Sequence, residues 1–163
     1  MEEMLVPRLL DKATIDRAYA LVRNAASAVT LDQWNRFARP QISSRSLNWP
    51  RGLMTIQNMS GCILGLFAFE VRHDLLEGRT LWISNIIVPH LPGRDRIWLS
   101  AIDAIDGLAT INNCRAIRAE LKNEIHAAKM AQTWIVDTLA EFGYSLEGLG
   151  ALKRLAQSGG DIH

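Results

Sequence analysis

The sequence predicts an α/β fold in which a mixed central sheet is flanked by helices on both faces. Short apolar segments of strand length alternate along the chain with segments whose apolar residues recur at helical spacing. One strand-length segment, Cys62 to Phe69, is apolar on both of its faces, which is typical of a central strand that is covered on both sides. A chain of 163 residues that is 48% hydrophobic can bury one sizeable core. We therefore predict one domain over residues 1–156, followed by a flexible tail over residues 157–163.

The first third of the chain reads as a strand followed by two helices. Leu5–Leu10 is a short apolar stretch that favours a strand, and Thr14–Ser27 carries apolar residues at helical spacing. Thr30 followed by Gln33 matches a capping box, which indicates the start of a second helix. Pro40 should end or kink that helix, because proline lacks the N–H that the helix needs.

The middle of the chain reads as a polar loop and then a three-stranded meander. The polar run Gln41–Asn48 is typical of a surface loop, and it is followed by strands at Gly52–Met59, Cys62–Arg72 and Thr80–Val88. A glycine-containing turn separates each pair of neighbouring strands.

The last part of the chain adds two helices, a strand and a hairpin. Asp95 is a suitable N-cap for a helix that buries a stripe of isoleucine, tryptophan, alanine and leucine residues. Ala116–Leu121 is predicted to form a strand. Ala127–Phe142 is predicted to form a helix whose apolar residues, Phe142 among them, face the core, and Gly143 is predicted to end it. Tyr144–Leu155 favours a terminal hairpin, whose open edge would allow two copies to pair as a homodimer.

Composition argues against several classes of partner. The formal net charge is +1, so no overall charge attracts nucleic acid or an anionic membrane surface. No apolar run is long enough to span a bilayer. Cys62 and Cys114 lie in apolar segments without paired spacing, and we interpret them as reduced core residues of a cytoplasmic protein. No cluster of His, Asp, Glu or Cys has metal-ligand spacing, so we expect no metal site.

The segment Thr80–Asp106 carries the strongest functional signal. A buried strand ends at Pro89, a proline–glycine loop follows, and an amphipathic helix begins directly after the loop. The amide groups and the positive dipole end of a helix N-terminus attract an anionic phosphate group. Arg94 and Arg96 add positive charge at the same place. The segment therefore predicts a ligand that carries phosphate, such as a nucleotide-type cofactor.

This segment and the order of elements around it resemble the GNAT superfamily of acyl-CoA-dependent N-acetyltransferases. The resemblance covers about Leu5 to Leu155 and rests more on element order than on identities. The family's fourth strand ends in a hydrophobic pair, a valine and often a proline, and Ile86–Pro89 match this pattern. Asn123 and the pair Gly143-Tyr144 match an asparagine after the fifth strand and a Gly-aromatic pair after the following helix.

The resemblance implies acetyl-CoA as cosubstrate and a small-molecule or peptide amine as acceptor. In this family the pantetheine arm bonds to main-chain groups at the end of the fourth strand, and the loop amides hold the pyrophosphate. The cofactor-binding residues that it implies are Ile87, Val88, Gly93, Arg94, Asp95, Arg96 and Asn123. The chain departs from the family where glycine or another small residue is usual, because Pro92, Asp95 and Ile97 stand in the loop pattern.

Three residues are candidates for catalysis. Asn85 lies where the family often carries an acidic residue, and an asparagine can position water or polarise a carbonyl but cannot act as a base. Glu70 and His90 are titratable residues near the ends of the third and fourth strands. The family's frequent tyrosine acid is replaced by Leu139. Two hypotheses stay open: an N-acyltransferase that works by direct attack, and a catalytically silent binding or interaction module with the same fold.

Overall fold

The computed structural model of the chain describes residues 3–43, 50–89, 92–120, 137–147 and 150–156. His90, Asn123 and the predicted tail lie outside these ranges, as does most of the helix predicted at Ala127–Phe142. The bounds of the elements are β1 (Leu5–Leu9), α1 (Ile15–Ala25), α2 (Leu31–Ser43), β2 (Arg51–Asn58), β3 (Ile63–Asp74), β4 (Gly78–Ile87), α3 (Arg94–Ile111), β5 (Ala116–Glu120), β6 (Ser145–Glu147) and β7 (Gly150–Arg154).

The strands form one sheet in the order β1-β2-β3-β4-β5-β7-β6. Neighbouring strands are antiparallel except β4 and β5, which are parallel. A parallel pair needs a long crossover connection, and α3 supplies it. The mixed sheet confirms the predicted fold class, and the predicted terminal hairpin is present as β6 and β7.

Helices cover both faces of this sheet. On the α1/α2 face, Leu53, Leu66 and Ala68 pack with Trp34 and other apolar residues of α1 and α2. On the opposite α3 face, Phe67, Leu81 and Ile83 belong to a larger core together with the buried stripe of α3. Side chains alternate between the two faces along each strand, so the face of a polar residue follows from its register.

The predicted capping box at the start of α2 is confirmed. The Thr30 amide donates to Gln33 Oε1 at 2.8 Å, and the Gln33 amide donates to Thr30 Oγ1 at 3.2 Å. The interpretation of Pro40 as the end of the helix was wrong, because α2 continues through Ser43 with Pro40 inside it. The missing proline N–H falls close to the C-terminus, where it removes one hydrogen bond from the last turns.

Three further predictions need correction. The N-cap of α3 is Gly93 and Asp95 lies in the first turn, because Gly93 adopts a left-handed conformation with φ 87° that starts the helix earlier. Cys62 is exposed in the turn before β3, whereas Cys114 is buried as predicted, and burial raises the pKa of the Cys114 thiol. Phe142 is 37% exposed because the described helix, residues 137–141, ends one residue before it.

Within the ranges given above, no helix is both long and apolar enough to cross a membrane.

Candidate active site

A β-bulge interrupts β4 close to its end. Ala68 of β3 pairs with Ser84, and Leu66 pairs with Ile87, so two β4 residues, Asn85 and Ile86, lie opposite one residue of β3. Asn85 adopts φ 52°, a left-handed conformation that asparagine tolerates better than most residues. Its side-chain amide is exposed and donates to Ser84 Oγ at 3.1 Å. Asn85 is therefore the extra residue of the strand.

The faces of the neighbouring side chains support this assignment. Ser84 is on the α1/α2 face, Ile86 is buried in the core of the α3 face, and Ile87 packs against the α1/α2 core. A regular strand would place Ser84 and Ile86 on the same face. Because the bulge shifts the alternation of side chains between the two faces by one residue, Ile86 packs on the α3 face and Ile87 packs on the α1/α2 face.

The described pairing of β4 with β5 ends just before the bulge, and the residues after Glu120 lie outside the described ranges. Within the described ranges, the parallel register runs from Thr80 and Ala116 to Ile83 and Ala119, while β4 continues to Ile87. The main chain of β4 from Ser84 onward has no strand partner in the described part of β5. Ile87 lies in this stretch of β4, and Val88 follows it directly. The main-chain groups of these two residues are the ones that the family resemblance implied in cofactor binding.

The N-terminus of α3 follows this stretch after a short loop. Gly93 is the N-cap, no side chain of the described residues caps the helix, and a Cβ at Gly93 would meet no atom of the described residues beyond its chain neighbours within 4 Å. At Gly65 on β3, by contrast, a Cβ would lie 2.9 Å from Ile97 Cγ2, so α3 is packed tightly onto the sheet. α3 is thus packed firmly on the sheet, and no other described residue fills the space beside Gly93.

The charged residues of the first turn differ in their contacts. Arg96 donates a hydrogen bond to the carbonyl of Glu3, which ties this guanidinium to the segment before β1. Arg94 Nε lies 3.9 Å from Asp95 Oδ1, and the Asp95 side chain is 62% exposed. The two arginines predicted to contact phosphate therefore have different surroundings, and Asp95 brings negative charge to the same turn.

Glu70 belongs to a separate group of side chains on the α1/α2 face. Arg51, Glu70, Trp82 and Arg118 are direct neighbours across β2, β3, β4 and β5. Arg72, two residues beyond Glu70, donates to Glu70 Oε2 at 3.0 Å. We call these five residues the arginine–tryptophan cluster. Glu70 is thus an ion-paired member of this cluster and lies two residues along β3 from Ala68, the residue opposite Ser84.

Glu120 is a carboxylate that the sequence analysis did not single out. It is the last residue of β5 and directly follows Ala119, which pairs with Ile83. If the parallel register is continued by one residue, Glu120 lies beside Ser84. Adjacent strands are about 4.8 Å apart. The Glu120 side chain is exposed on the α1/α2 face, and within the described ranges it makes no hydrogen bond or ion pair. The feature of the sequence that could have pointed to it is a charged residue at the end of a short, mostly apolar strand segment.

The tyrosine closest in sequence to the family's acid position is a core residue. Tyr144 is 6% exposed, and Lys153 Nζ lies 5.5 Å from the centre of its ring. Burial, with a smaller contribution from Asp106, raises the pKa of Tyr144 well above its ordinary value. Leu139 is also buried in the same core. Neither residue lies on β4 or β5, the strands that carry Asn85 and Glu120.

No group of three or more His, Cys, Asp or Glu side chains in the described ranges has the arrangement of a metal site.

Comparison with known proteins identifies the fold. No family model matches the sequence, and no curated protein matches it. Among solved structures, the aminoglycoside N-acetyltransferase AAC(6')-Iy in complex with CoA is 13% identical with a TM-score of 0.64, covering 99% of this chain and 98% of that one. A GCN5-related N-acetyltransferase from Kribbella flavida is 17% identical with a TM-score of 0.64, over 93% and 98%.

A third solved structure is the NatC complex bound to Gag peptide and CoA. It matches at 9% identity with a TM-score of 0.63, covering 93% of this chain and 99% of that one. At such identities the likeness concerns the fold, and it extends over almost the whole length of each chain. The chain therefore has the fold of the GCN5-related N-acetyltransferases, as its sequence resemblance implied.

Proposed function

We propose that this chain is an acyl-CoA-dependent N-acyltransferase that moves an acetyl group from acetyl-CoA to an amine by direct attack. One observation carries the proposal: the bulge at Asn85 comes directly after the last described β4–β5 pair and its neighbour Ser84, and a helix N-terminus follows the same strand. We propose that β4 and β5 separate at this bulge, which would leave main-chain donors and acceptors beside a gap, with an anion-attracting helix end close by. The structural neighbours that contain CoA support the choice of ligand.

The residues present fit CoA at two points. On the side away from β3, the main chain from Ser84 to Val88 has no strand partner in the described part of β5, and it suits the amide groups of a pantetheine arm, which would bond to it as an added strand does. The open space at Gly93 allows a phosphate to approach the first amides of α3 without a side chain in the way. Gly93 and Arg94 would contact the pyrophosphate, and Asp95 and Arg96 would lie next to it in the first turn of α3. Asn123 as a cofactor-binding residue and His90 as a catalytic candidate lie outside the described ranges, so these two proposals rest on the family resemblance alone.

The bound thioester supplies an activated acyl group, and the protein has to present a neutral amine to it. An amine is an ammonium ion at neutral pH, so a base must take a proton before the attack. Asn85 has no basic atom, but its exposed amide, next to Ser84 Oγ, can orient the amine or a water molecule. Glu70 is engaged with Arg72 and lies farther from the gap.

Glu120 is the carboxylate that we propose as the proton acceptor. It lies at the gap beside Ser84, it is exposed, and no described side chain neutralises it. A carboxylate in this place attracts the ammonium form of the acceptor and accepts its proton directly or through water. The solvent-exposed position also lets the proton leave after each turnover.

The second candidate function is a catalytically silent module with the same fold. The observation that favours it is the exposed Asp95 in the first turn of α3, where a carboxylate repels phosphate and where the family usually has a small residue. Turnover of acetyl-CoA with an amine, dependent on Glu120, would exclude this candidate. A chain that binds CoA without turnover of a broad amine set would favour it.

The cofactor half of the proposal is tested by Arg94→Ala. Because Arg94 is the first residue of α3, directly after the N-cap Gly93, we expect its guanidinium to contact the phosphate that the helix N-terminus attracts. A charge-assisted hydrogen bond at an exposed site contributes on the order of 1.5 kcal/mol, so the variant should bind CoA about tenfold more weakly by calorimetry.

Arg36→Ala is the matched control, because Arg36 is an exposed arginine of α2 that is paired with Asp32. It should bind CoA as the wild type does. Equal CoA affinity in wild type, Arg94→Ala and the Arg94→Ala/Arg96→Ala double variant would contradict the assignment of this helix end as the phosphate site.

A further inference from the structure

Gly65 of β3 lies where the end of β4 meets the first turn of α3. The next residue of β3, Leu66, pairs with Ile87, and this is the first β3–β4 pair beyond the bulge. On β2, Gly65 pairs with Ile56, which belongs to the core of the α3 face, so a side chain at Gly65 would point towards α3. Gly65 therefore borders both halves of the proposed cosubstrate site, which are the end of β4 and the start of α3.

The structure has no room for a side chain at this position. A Cβ on Gly65 would lie 2.9 Å from Ile97 Cγ2 and 3.4 Å from the carbonyl oxygen of Ile87. Carbon atoms in contact normally lie about 3.5–4.0 Å apart, so the distance to Ile97 is too short by roughly 0.6 Å or more. Ile97 is buried, and χ1 of an isoleucine in a helix is strongly restricted. With a Cβ at Gly65, the turn of α3 that carries Ile97 would therefore have to move.

The part of α3 that packs on Gly65 is the part that is proposed to bind phosphate. Ile97 lies about one turn after the N-cap Gly93 and the first helical residue, Arg94. Farther along the helix, the other buried residues of α3 pack in the same core, so a Cβ at Gly65 would displace mainly the first turn. The same Cβ would also lie against the carbonyl of Ile87, at the strand end proposed for the pantetheine arm. The lack of a side chain at Gly65 thus sets the separation between the two halves of the site.

We infer that Gly65 is a positioning residue for acetyl-CoA, because it fixes the distance between the helix start that binds the pyrophosphate and the strand end that binds the pantetheine arm. The inference rests on the proposed N-acyltransferase function and adds a residue that contacts neither substrate. One CoA molecule has to reach both halves of the site at once. Two linked groups bind more tightly than either group alone only when the geometry lets both engage together. A shift of the first turn of α3 therefore weakens the binding of intact CoA, while each half of the site can still bind its own part.

The test compares Gly65→Ala with the wild type for CoA and for the two fragments that together make up CoA, which are pantetheine and adenosine 3′-phosphate 5′-diphosphate. Calorimetry measures CoA binding, and ligand-observed NMR titration measures the weaker fragments. We expect the variant to bind CoA at least about tenfold more weakly and each fragment within about threefold of the wild-type affinity. A residue with only a structural role would lower the unfolding temperature and leave all three affinities unchanged. Equal CoA affinity in the wild type and in folded Gly65→Ala would overturn the inference.

Substitutions of Ile97 test the same contact from the helix side and do not depend on whether Gly65→Ala folds. Ile97→Ala removes the Cγ2 that packs on Gly65, so CoA should bind about tenfold more weakly, whereas Ile97→Val keeps Cγ2 and should bind CoA as the wild type does. Gly65→Ala/Ile97→Ala places a methyl group in the same space from the strand side, so its CoA affinity should exceed that of either single variant. Gly107→Ala is the matched control on α3, because a Cβ there would meet no described residue beyond its own stretch of helix within 4 Å. Equal CoA affinity of Ile97→Ala and Ile97→Val would contradict the role of Gly65.

Failure of this inference and failure of the proposed function give different results. If the wild type binds CoA and acetylates an amine, and Gly65→Ala does both equally well, the function stands and the role of Gly65 is wrong. If Gly65→Ala weakens CoA binding but the wild type acetylates no amine, the role of Gly65 stands and the N-acyltransferase function is wrong. If the wild type binds neither CoA nor either fragment, both are wrong.

Discussion

Deletion of Asn85 is expected to weaken CoA binding by about thirtyfold or more while the protein remains folded. With Asn85 removed, Ser84 would be followed directly by Ile86, and these residues already lie on opposite faces. The strand would become regular without moving any of its apolar side chains to the wrong face, so the core contacts of Ile86 and Ile87 can be kept. The register of β4 with β5 could then continue past Ile83 and close the gap.

Closing the gap would remove the main-chain groups that we propose for the pantetheine arm. A hydrogen bond contributes about 1 kcal/mol net, so the loss of two such bonds would weaken CoA binding by about thirtyfold or more. Calorimetry with CoA measures this loss, and thermal unfolding checks that the variant still unfolds cooperatively.

The matched control for this deletion is Asn85→Gly. Glycine adopts the positive φ of this position readily, so the bulge should stay and CoA affinity should change by less than about threefold. A deletion variant that binds CoA as tightly as Asn85→Gly would show that the bulge does not form the binding gap.

Glu120→Gln is expected to reduce kcat by about a hundredfold or more. Glutamine has nearly the same shape as glutamate but cannot accept a proton, and general base catalysis contributes on the order of 10² to 10⁴ in rate. The affinity for CoA should stay within about twofold, because Glu120 lies on the α1/α2 face and the proposed phosphate site lies at the start of α3. Steady-state kinetics and CoA calorimetry on the same preparation measure the two effects.

Two further variants make the result specific. Asp103→Asn changes an exposed carboxylate of α3 and should leave kcat unchanged. Glu70→Gln tests the carboxylate that the sequence suggested for catalysis. A large loss of kcat in Glu70→Gln together with a small loss in Glu120→Gln would contradict our assignment of the base.

Periodicity in the sequence was sufficient to predict most elements of the fold. The strands from Leu5 to Val88 and the helix over the segment after Gly93 were found within a few residues, because their apolar spacing is set by packing on a two-sided sheet. The start of α3 was misplaced because Asp95 is the better N-cap by local preference, whereas the left-handed turn at Gly93 decides the start in the folded chain.

The candidate site depends on register, which local patterns do not contain. Asn85 was named from resemblance, but its role as an inserted residue needs the pairing of Ala68 with Ser84 and of Leu66 with Ile87. A signal was present, since Ser84 and Asn85 are two polar residues in succession and interrupt the alternation of the strand.

The arginine–tryptophan cluster was out of reach of the sequence for a similar reason. Arg51, Glu70, Trp82 and Arg118 come from four strands and become neighbours only through the register of three strand pairs. Glu120 reaches Ser84 through the one parallel pair, after the whole length of α3 has intervened. Contacts of this kind depend on how distant strands pair, and local patterns in the sequence contain no information about that pairing.

The central claim is that this chain binds acetyl-CoA at the gap between β4 and β5, and thermal unfolding with and without acetyl-CoA tests it most directly. A ligand that binds only the folded state stabilises it by about 2.7 kcal/mol at a hundredfold excess over Kd. We predict a clear rise of the unfolding temperature with millimolar acetyl-CoA, and a much smaller rise for the variant that lacks Asn85. An unchanged unfolding temperature for a well-folded wild-type sample at that concentration would contradict the account.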